Sequence, residues 1–472
     1  MDSRGLTIVA REETVRQTMN CHVVVVLTLL VAVLSVFLGL YLTSSEPATP
    51  PEYGDGWWGR GERPEEEEDT SIRQVWISIP DSMLEDLNVR LDRRRLFEPL
   101  EESKFHYGFN PQYLERIMHY WRNNYNWKQQ EQVLNTYDHY KTKIEGLDVH
   151  FVHVKPKVED PSKVRPLLMV HGWPGSFYEF YKILPMLTDP LNHGGSEDDV
   201  FEVILPSIPG YGFSEAPHKQ GFDVIAAARV FDKLMVRLGF EKYYFQGGDM
   251  GSIIGYFLSL IQPSHVLGYH TNMPTGQPPY YVAKLVIGSI FPSLVINDDE
   301  YDRIFPVGEK LTEMIAATGY LHLQATKPDT AGFGLTDSPV GLAAYILEKH
   351  SHPVYNDLED GGLEKHFSID YLLTNVMIYW VNANIAPSMR LYKETVPKLF
   401  SGAVSYVISV PTGIAAFPLE IPYIPENWAK QIFPDLVSYT RMPRGGHFAA
   451  MEEPLLLAED LRQFVRKIEE RQ

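Results

Sequence analysis

Residues 243–257 read YYFQGGDMGSIIGYF. A β-forming run, Tyr243 to Gly247, ends in Gly247-Gly248-Asp249-Met250-Gly251, and an apolar, helix-capable segment follows at once. Glycines on both sides of Asp249 permit a tight strand-to-helix turn that pushes the central side chain into a cleft. Such an elbow commonly exposes a serine, and here it exposes a carboxylate. On this stretch alone the alternative carries equal weight: Asp249 would simply N-cap a helix beginning near Ser252. The chemistry a carboxylate offers is specific. Serine attacking an alkyl carbon would leave an ether that water does not readily remove. A carboxylate is ionised at neutral pH, needs no base for the attack, and yields an ester whose own carbonyl can be hydrolysed.

On either side, short apolar runs alternate with amphipathic segments, which is the pattern of a parallel α/β sheet. Pro166 to Val170 reads as a buried strand leading into HGWPGS, with a helix expected from Phe177 to Leu187. Phe201 to Leu205 is the next strand, leading into PSIPGYGFS, and Ile225 to Leu238 is a helix closed by Gly239. Ligands in such sheets sit at the carboxyl ends of the strands, so these loops and the elbow are expected to meet. Residues 274–397 lose the alternation and read as an inserted, mainly helical cap. Val404 to Val410 resumes a strand, and Leu436 to Met442 supplies another. The expected organisation is a tail over 1–22, an apolar run over 23–42, an acidic linker over 43–70, a helical N-terminal segment over 71–157, a core in two parts over 158–273 and 398–472, and the cap between them.

The 472 residues are 44% hydrophobic and include 27 tyrosines, which suits a globular enzyme with a sizeable core. A net charge of −19 repels a phosphate backbone and argues against nucleic acid as a partner. Cys21 is the only cysteine, so neither an intrachain disulfide nor a CxxC metal site can form. Val23 to Leu42, VVVVLTLLVAVLSVFLGLYL, is uncharged and has the ~20 residues a helix needs to cross a bilayer. A cleaved signal peptide has a shorter apolar region of ~7–15 residues and an A-x-A-like site, which LTSSEPATP lacks. We therefore expect a retained membrane anchor. Arg4, Arg11 and Arg16 precede it while Arg60 and Arg63 follow, a bias that favours a cytosolic N-terminus.

Hydrolysis of an ester on Asp249 requires a base, a group that orients it and an oxyanion hole. His447, in RMPRGGHFAAMEEP after the last expected strand, is the candidate base, because imidazole removes a proton from water near neutral pH. Glu420, in AAFPLEIP, is the candidate carboxylate that fixes its tautomer, with Glu426 the runner-up. The chain order nucleophile, acid, histidine agrees with this assignment. HGWPG directly follows a strand, where an oxyanion loop belongs, and the backbone N–H groups of Trp173 and Met250 are the candidate donors. His171 reads as a hydrogen-bonded structural residue.

HGWPG, PGYGFS, GGDMGS and RGGHF together make the sequence resemble the epoxide hydrolases of the α/β-hydrolase superfamily, specifically the membrane-anchored microsomal type, a group that includes juvenile hormone epoxide hydrolases. The resemblance runs from Ile72 to the C-terminus. It implies an α/β-hydrolase fold, with a mostly parallel sheet and a helical cap, that converts apolar epoxides and water to vicinal diols without cofactor or metal. It further implies an endoplasmic reticulum membrane location with the catalytic domain facing the cytosol, opposite to the arginine bias. The absence of any Asn-x-Ser/Thr sequon fits such a domain. In this family two cap tyrosines bind the epoxide oxygen, and the matching positions are Tyr320, in ATGYLHLQATKPDT, and Tyr392, in MRLYKETVP.

Backside attack puts the departing oxygen opposite the nucleophile, so the proton donor must come from across the cleft. Tyrosine, with pKa ~10, remains protonated at neutral pH. The family usually has tryptophan after the nucleophile, whereas this chain has Met250, from which altered substrate preference is expected. Haloalkane dehalogenases share the aspartate nucleophile but typically hold halide with an indole N–H beside it, which methionine lacks. A membrane-tethered binding protein without turnover is the remaining alternative. It is the weaker one, since Asp249, Glu420 and His447 are all present.

Overall fold

A computed structural model describes residues 50–63, 68–158 and 160–471. The expected anchor, Val23 to Leu42, lies outside the described residues. Among the described residues nine strands, numbered in chain order, form one sheet in the order β1-β2-β3-β5-β4-β6-β7-β8-β9. Its central portion is parallel: β5 (Phe201–Pro206), β4 (Arg165–Val170), β6 (Tyr243–Gly247), β7 (Val266–Thr271), β8 (Thr412–Ala416) and β9 (Leu436–Arg441). Leu167 to Val170 and Val203 to Leu205 are fully buried, as expected of strands covered by helices on both faces. The helix Val224–Arg237 closes as expected, with Gly239 at φ 92° just beyond it.

The N-terminal segment departs from its expected all-helical character. It contains the helices Asp81–Asp92, Pro111–Asn123 and Trp127–Leu134, but also β1 (Arg73–Val75), β2 (Asp138–Ile144) and β3 (Leu147–Val154). β2 and β3 form a hairpin whose two turn residues, Glu145 and Gly146, have φ of 50° and 79°. That is the turn geometry whose twist matches paired strands. β3 then pairs antiparallel with β5 and extends the sheet. The Glu145 carboxylate, itself buried, takes a bidentate pair of hydrogen bonds from Arg229 at 2.7 and 2.8 Å, which ties the hairpin to the helix Val224–Arg237.

Two further expectations need correction. The helix foreseen over 177–187 is broken into a 3-10 turn, Phe177–Phe180, and a short helix, Leu184–Thr188. Pro185, which has no N–H to donate, sits in the first turn of the second piece, the helical position that tolerates it. The strand foreseen over 404–410 is not one, and the sheet resumes at Thr412, after Pro411. Val404, Ile408 and Val410 are buried and gave the run its strand-like look, but they pack as an extended lead-in, with the Ile408 N–H donating to the Ile432 carbonyl. All chain between β7 and β8 is helical or irregular and forms the cap, in which the helices Gly319–Thr326 and Ile385–Lys398 contact each other.

Candidate active site

The loops after β4, β6, β8 and β9 meet at one point. At the elbow, Gly248 precedes the helix Asp249–Ile261, and Asp249 is its first residue, with φ 49°. A non-glycine residue held in the left-handed region costs about 1–2 kcal/mol, a strain that clusters at functional sites. The packing that enforces it is tight. A Cβ on Gly251 would lie 1.9 Å from the Val170 carbonyl oxygen, and one on Gly172 would lie 2.3 Å from the Cβ of Asp249. Asp249 does not cap the helix. Its Oδ1 accepts a hydrogen bond from the Trp173 backbone N–H at 2.8 Å, and its Oδ2 faces Nε2 of His447 at 3.5 Å.

Behind His447 the buried Glu420 carboxylate accepts from Nδ1 at 2.8 and 2.9 Å. Glu420 is held in turn by the Ile421 N–H on its Oε1 and by Arg303 on its backbone carbonyl. Burial acts against charge on the imidazole, but Glu420 and Asp249 outweigh it and hold His447 well above its ordinary value of 6.5. Glu426 instead begins the helix Glu426–Ile432 and pairs with Lys430 at 2.7 Å, so it plays no part at His447. His171 is fully buried, accepts from the Ile208 N–H at 3.2 Å and is pushed by burial down to about 4.

The cap supplies the opposite wall. Tyr320 stacks on the Trp173 indole with ring centroids 5.0 Å apart, Tyr392 meets the same indole edge-on at 5.9 Å, and the two phenol rings are 6.1 Å apart. Burial and then the charge of Asp249 push both phenols up, so both remain protonated at neutral pH. Tyr345 completes the aromatic box against Trp173 at 5.6 Å. Two donors in this box, the Tyr392 hydroxyl and the Trp173 indole N–H, are buried with no hydrogen-bond partner among the described residues. Met250 is buried beside Asp249.

Two family models match the chain, "Epoxide hydrolase N terminus" over residues 72–180 and "alpha/beta hydrolase fold" over 165–319. "Epoxide hydrolase 1" of Oryctolagus cuniculus is 50% identical over 451 residues, covering 94% of this chain and 99% of that protein. The chain belongs to the epoxide hydrolase family. "Juvenile hormone epoxide hydrolase 2" of Ctenocephalides felis is 46% identical, with 88% and 89% of the two chains covered. The crystal structure of juvenile hormone epoxide hydrolase from the silkworm Bombyx mori superposes with a TM-score of 0.83 at 38% identity, covering 88% of this chain and 99% of that one.

Sequence reading of this epoxide hydrolase missed several polar groups at the cleft. Gln246, Asn272 and Glu179 share a small cavity with Asp249 and His447. Gln246 donates to Asn272 Oδ1 at 3.2 Å, and Asn272 donates to the His447 carbonyl at 3.4 Å. Asn375, on the cap helix Ile369–Val381, donates to the Pro174 carbonyl at 2.7 Å and accepts from Ser176, and Tyr379 of the same helix donates to the Gly175 carbonyl at 2.7 Å. The cap thus clamps the HGWPG loop. Only the position of Glu179, three residues past HGWPGS, offered a signal in the sequence.

Proposed function

We propose that the chain opens apolar epoxides to vicinal diols through an alkyl ester on Asp249. One observation carries the reading: the Asp249 carboxylate is bonded to the Trp173 N–H, while the Trp173 ring packs against both cap tyrosines. Nucleophile and proton donors therefore face each other across a single residue, as an in-line ring opening demands. Asp249 Oδ2 attacks an epoxide carbon, the C–O bond to the ring oxygen breaks, and Tyr320 and Tyr392 donate to that oxygen as it gains charge.

Ester formation removes the Asp249 charge, one of the two anions that raise the affinity of His447 for a proton. With that charge gone His447 releases its proton more readily, and the neutral imidazole takes a proton from water as the hydroxide portion adds to Cγ. Trp173 N–H, and the Met250 N–H at the helix start, hold the developing oxyanion. Collapse breaks the Cγ–O bond to the alkyl group, whose oxygen takes the proton from His447, and the proton left on the Asp249 carboxyl returns to the tyrosine that gave its own to the epoxide oxygen. Hydrolysis should accordingly rise with pH along a single acidic limb.

In heavy-oxygen water, a single turnover should place the label in the Asp249 carboxylate and leave the first diol unlabelled, read by mass spectrometry of protein and product. Label appearing in the first diol would refute the ester. Aromatic lining fits an apolar substrate, and turnover of an aryl epoxide against a terpenoid epoxy ester tests which class is preferred. We place the chain in the endoplasmic reticulum membrane with a single span at residues 23–42 and the catalytic domain in the cytosol. The length of that apolar run supports this reading. Alkaline carbonate extraction and protease protection of the full chain test it, and release of the protein or protection of the domain would contradict it.

A further inference from the structure

The small cavity behind Asp249 has no role in the alkylation step. It is bounded by Gly172, Glu179, Gln246, Asp249, Asn272 and His447, and about 10 Å³ of it is open to the centre of a water-sized body, the room that one water molecule needs. Its lining is polar in the way that holding a water requires. Gln246 is almost wholly buried, and its Oε1 has no hydrogen-bond partner among the described residues. The Glu179 carboxyl likewise forms no hydrogen bond or ion pair among the described residues, although every other carboxylate around the catalytic histidine is engaged. Glu179 is half-buried, and its carboxyl opens onto this cavity, where a water can complete its hydrogen bonding.

Its position is fixed by packing. A Cβ on Gly175 would lie 2.0 Å from Glu179 Oε2, so the carboxyl rests on the bare backbone of the oxyanion loop. That loop is itself clamped by Tyr379 and Asn375. We propose that Glu179 is the second hydrogen-bonding partner of the hydrolytic water, holding it against His447 within reach of the Asp249 carbonyl carbon. The proposal rests on the ester reading of Asp249 and deepens it.

The groups around Glu179 leave its carboxyl open to a water. Burial pushes its carboxyl up to about 8, with His447 drawing it down and Asp249 pushing it up further. Tyr371 and Tyr379 face it from the cap as neutral phenols, and Glu452, on the neighbouring helix Ala449–Glu452, is turned to the Phe448 N–H. Neutral or ionised, the Glu179 carboxyl keeps an oxygen that accepts a hydrogen bond from water. The water gives one hydrogen to His447 Nε2 and directs the other to Glu179, leaving its lone pair toward Cγ. The Cγ–O bond to water forms, the Cγ–O bond to the alkyl group breaks, and the proton on His447 passes to the departing diol oxygen. Glu179 accepts a hydrogen bond throughout and retains no proton.

Rapid-quench intact-mass kinetics on the full-length enzyme with a saturating aryl epoxide separate the two steps. Glu179→Gln keeps volume and polarity, and it should slow ester hydrolysis by roughly 10- to 100-fold while alkylation changes by less than about threefold. Then kcat and KM fall together, kcat/KM holds, and the ester accumulates. Gly175→Ala, whose methyl displaces the carboxyl, should give the same split, and the double variant should be no slower than Glu179→Gln alone. Wild-type hydrolysis in Glu179→Gln, an equal loss in kcat and kcat/KM, or multiplying defects in the double variant would each overturn the role of Glu179. Absence of any ester in the wild-type enzyme would overturn the Asp249 reading and this proposal with it.

Discussion

The two walls of the cleft are built on opposite electrostatic plans. At the elbow on the sheet side the charges are paired: Asp249 has the Trp173 N–H and His447, and His447 has both oxygens of Glu420. On the cap side Tyr320 and Tyr392 are neutral phenols, and the buried Tyr392 hydroxyl is unpaired among the described residues. Buried ions must be paired to be tolerated, whereas a neutral hydroxyl can be left open at about 1–3 kcal/mol. The elbow charges are therefore satisfied within the protein, whereas the Tyr392 hydroxyl is left open.

Removing the charge that both walls address should have the largest effect. Asp249→Ala is expected to lower diol formation from styrene oxide by about 10⁴-fold or more, measured by product chromatography, and residual turnover near wild type would dissolve the distinction between the walls. His447→Gln should still be alkylated but lose hydrolysis by about 10³-fold, so that an ester-sized mass increment persists on the intact protein.

The cap wall should answer differently. Tyr392→Phe is expected to slow alkylation by about 10²-fold yet stabilise the fold by ~1 kcal/mol, because it deletes an unpaired buried hydroxyl. Rapid-quench rates and thermal melts check the two signs together, and a loss of stability would mean that the hydroxyl is satisfied in the resting enzyme. The smallest effect concerns Glu179. Its folded-state value, about 8, lies above the ordinary 4.5, so the stability of its neutral form is present at low pH and lost as pH rises through 8. Glu179→Gln should match wild type near pH 5 and melt ~2 °C or more higher at pH 9.

Much of the sheet wall was legible along the chain. Strand-turn-helix punctuation around Asp249, the HGWPG turn after β4 and the glycine loop bearing His447 are local patterns, because backbone sterics and periodicity act over a few residues. The cap wall was not legible in that way: with 27 tyrosines present, family resemblance selected Tyr320 and Tyr392, and spacing could not have. The hairpin of β2 and β3 was missed because its turn residues, Glu145 and Gly146, sit in a segment whose aromatic and charged texture reads as helix. The strand at Thr412 was misplaced because Val404 to Val410 is equally apolar, and hydrophobicity reports burial without reporting pairing.

By itself the amino-acid sequence determined that a carboxylate stands at an elbow, that a histidine and an acid follow it in order, and that a helical insertion interrupts an α/β core. Only the tertiary structure decided that Glu420 and not Glu426 holds His447, that Trp173 touches both Asp249 and the tyrosines, and that Glu179 opens onto a space fit for one water. The reason is physical. Turn chemistry and periodicity are fixed by neighbours along the chain, whereas desolvation, hydrogen-bond partners and cavity shape are set by residues brought together from distant parts of it.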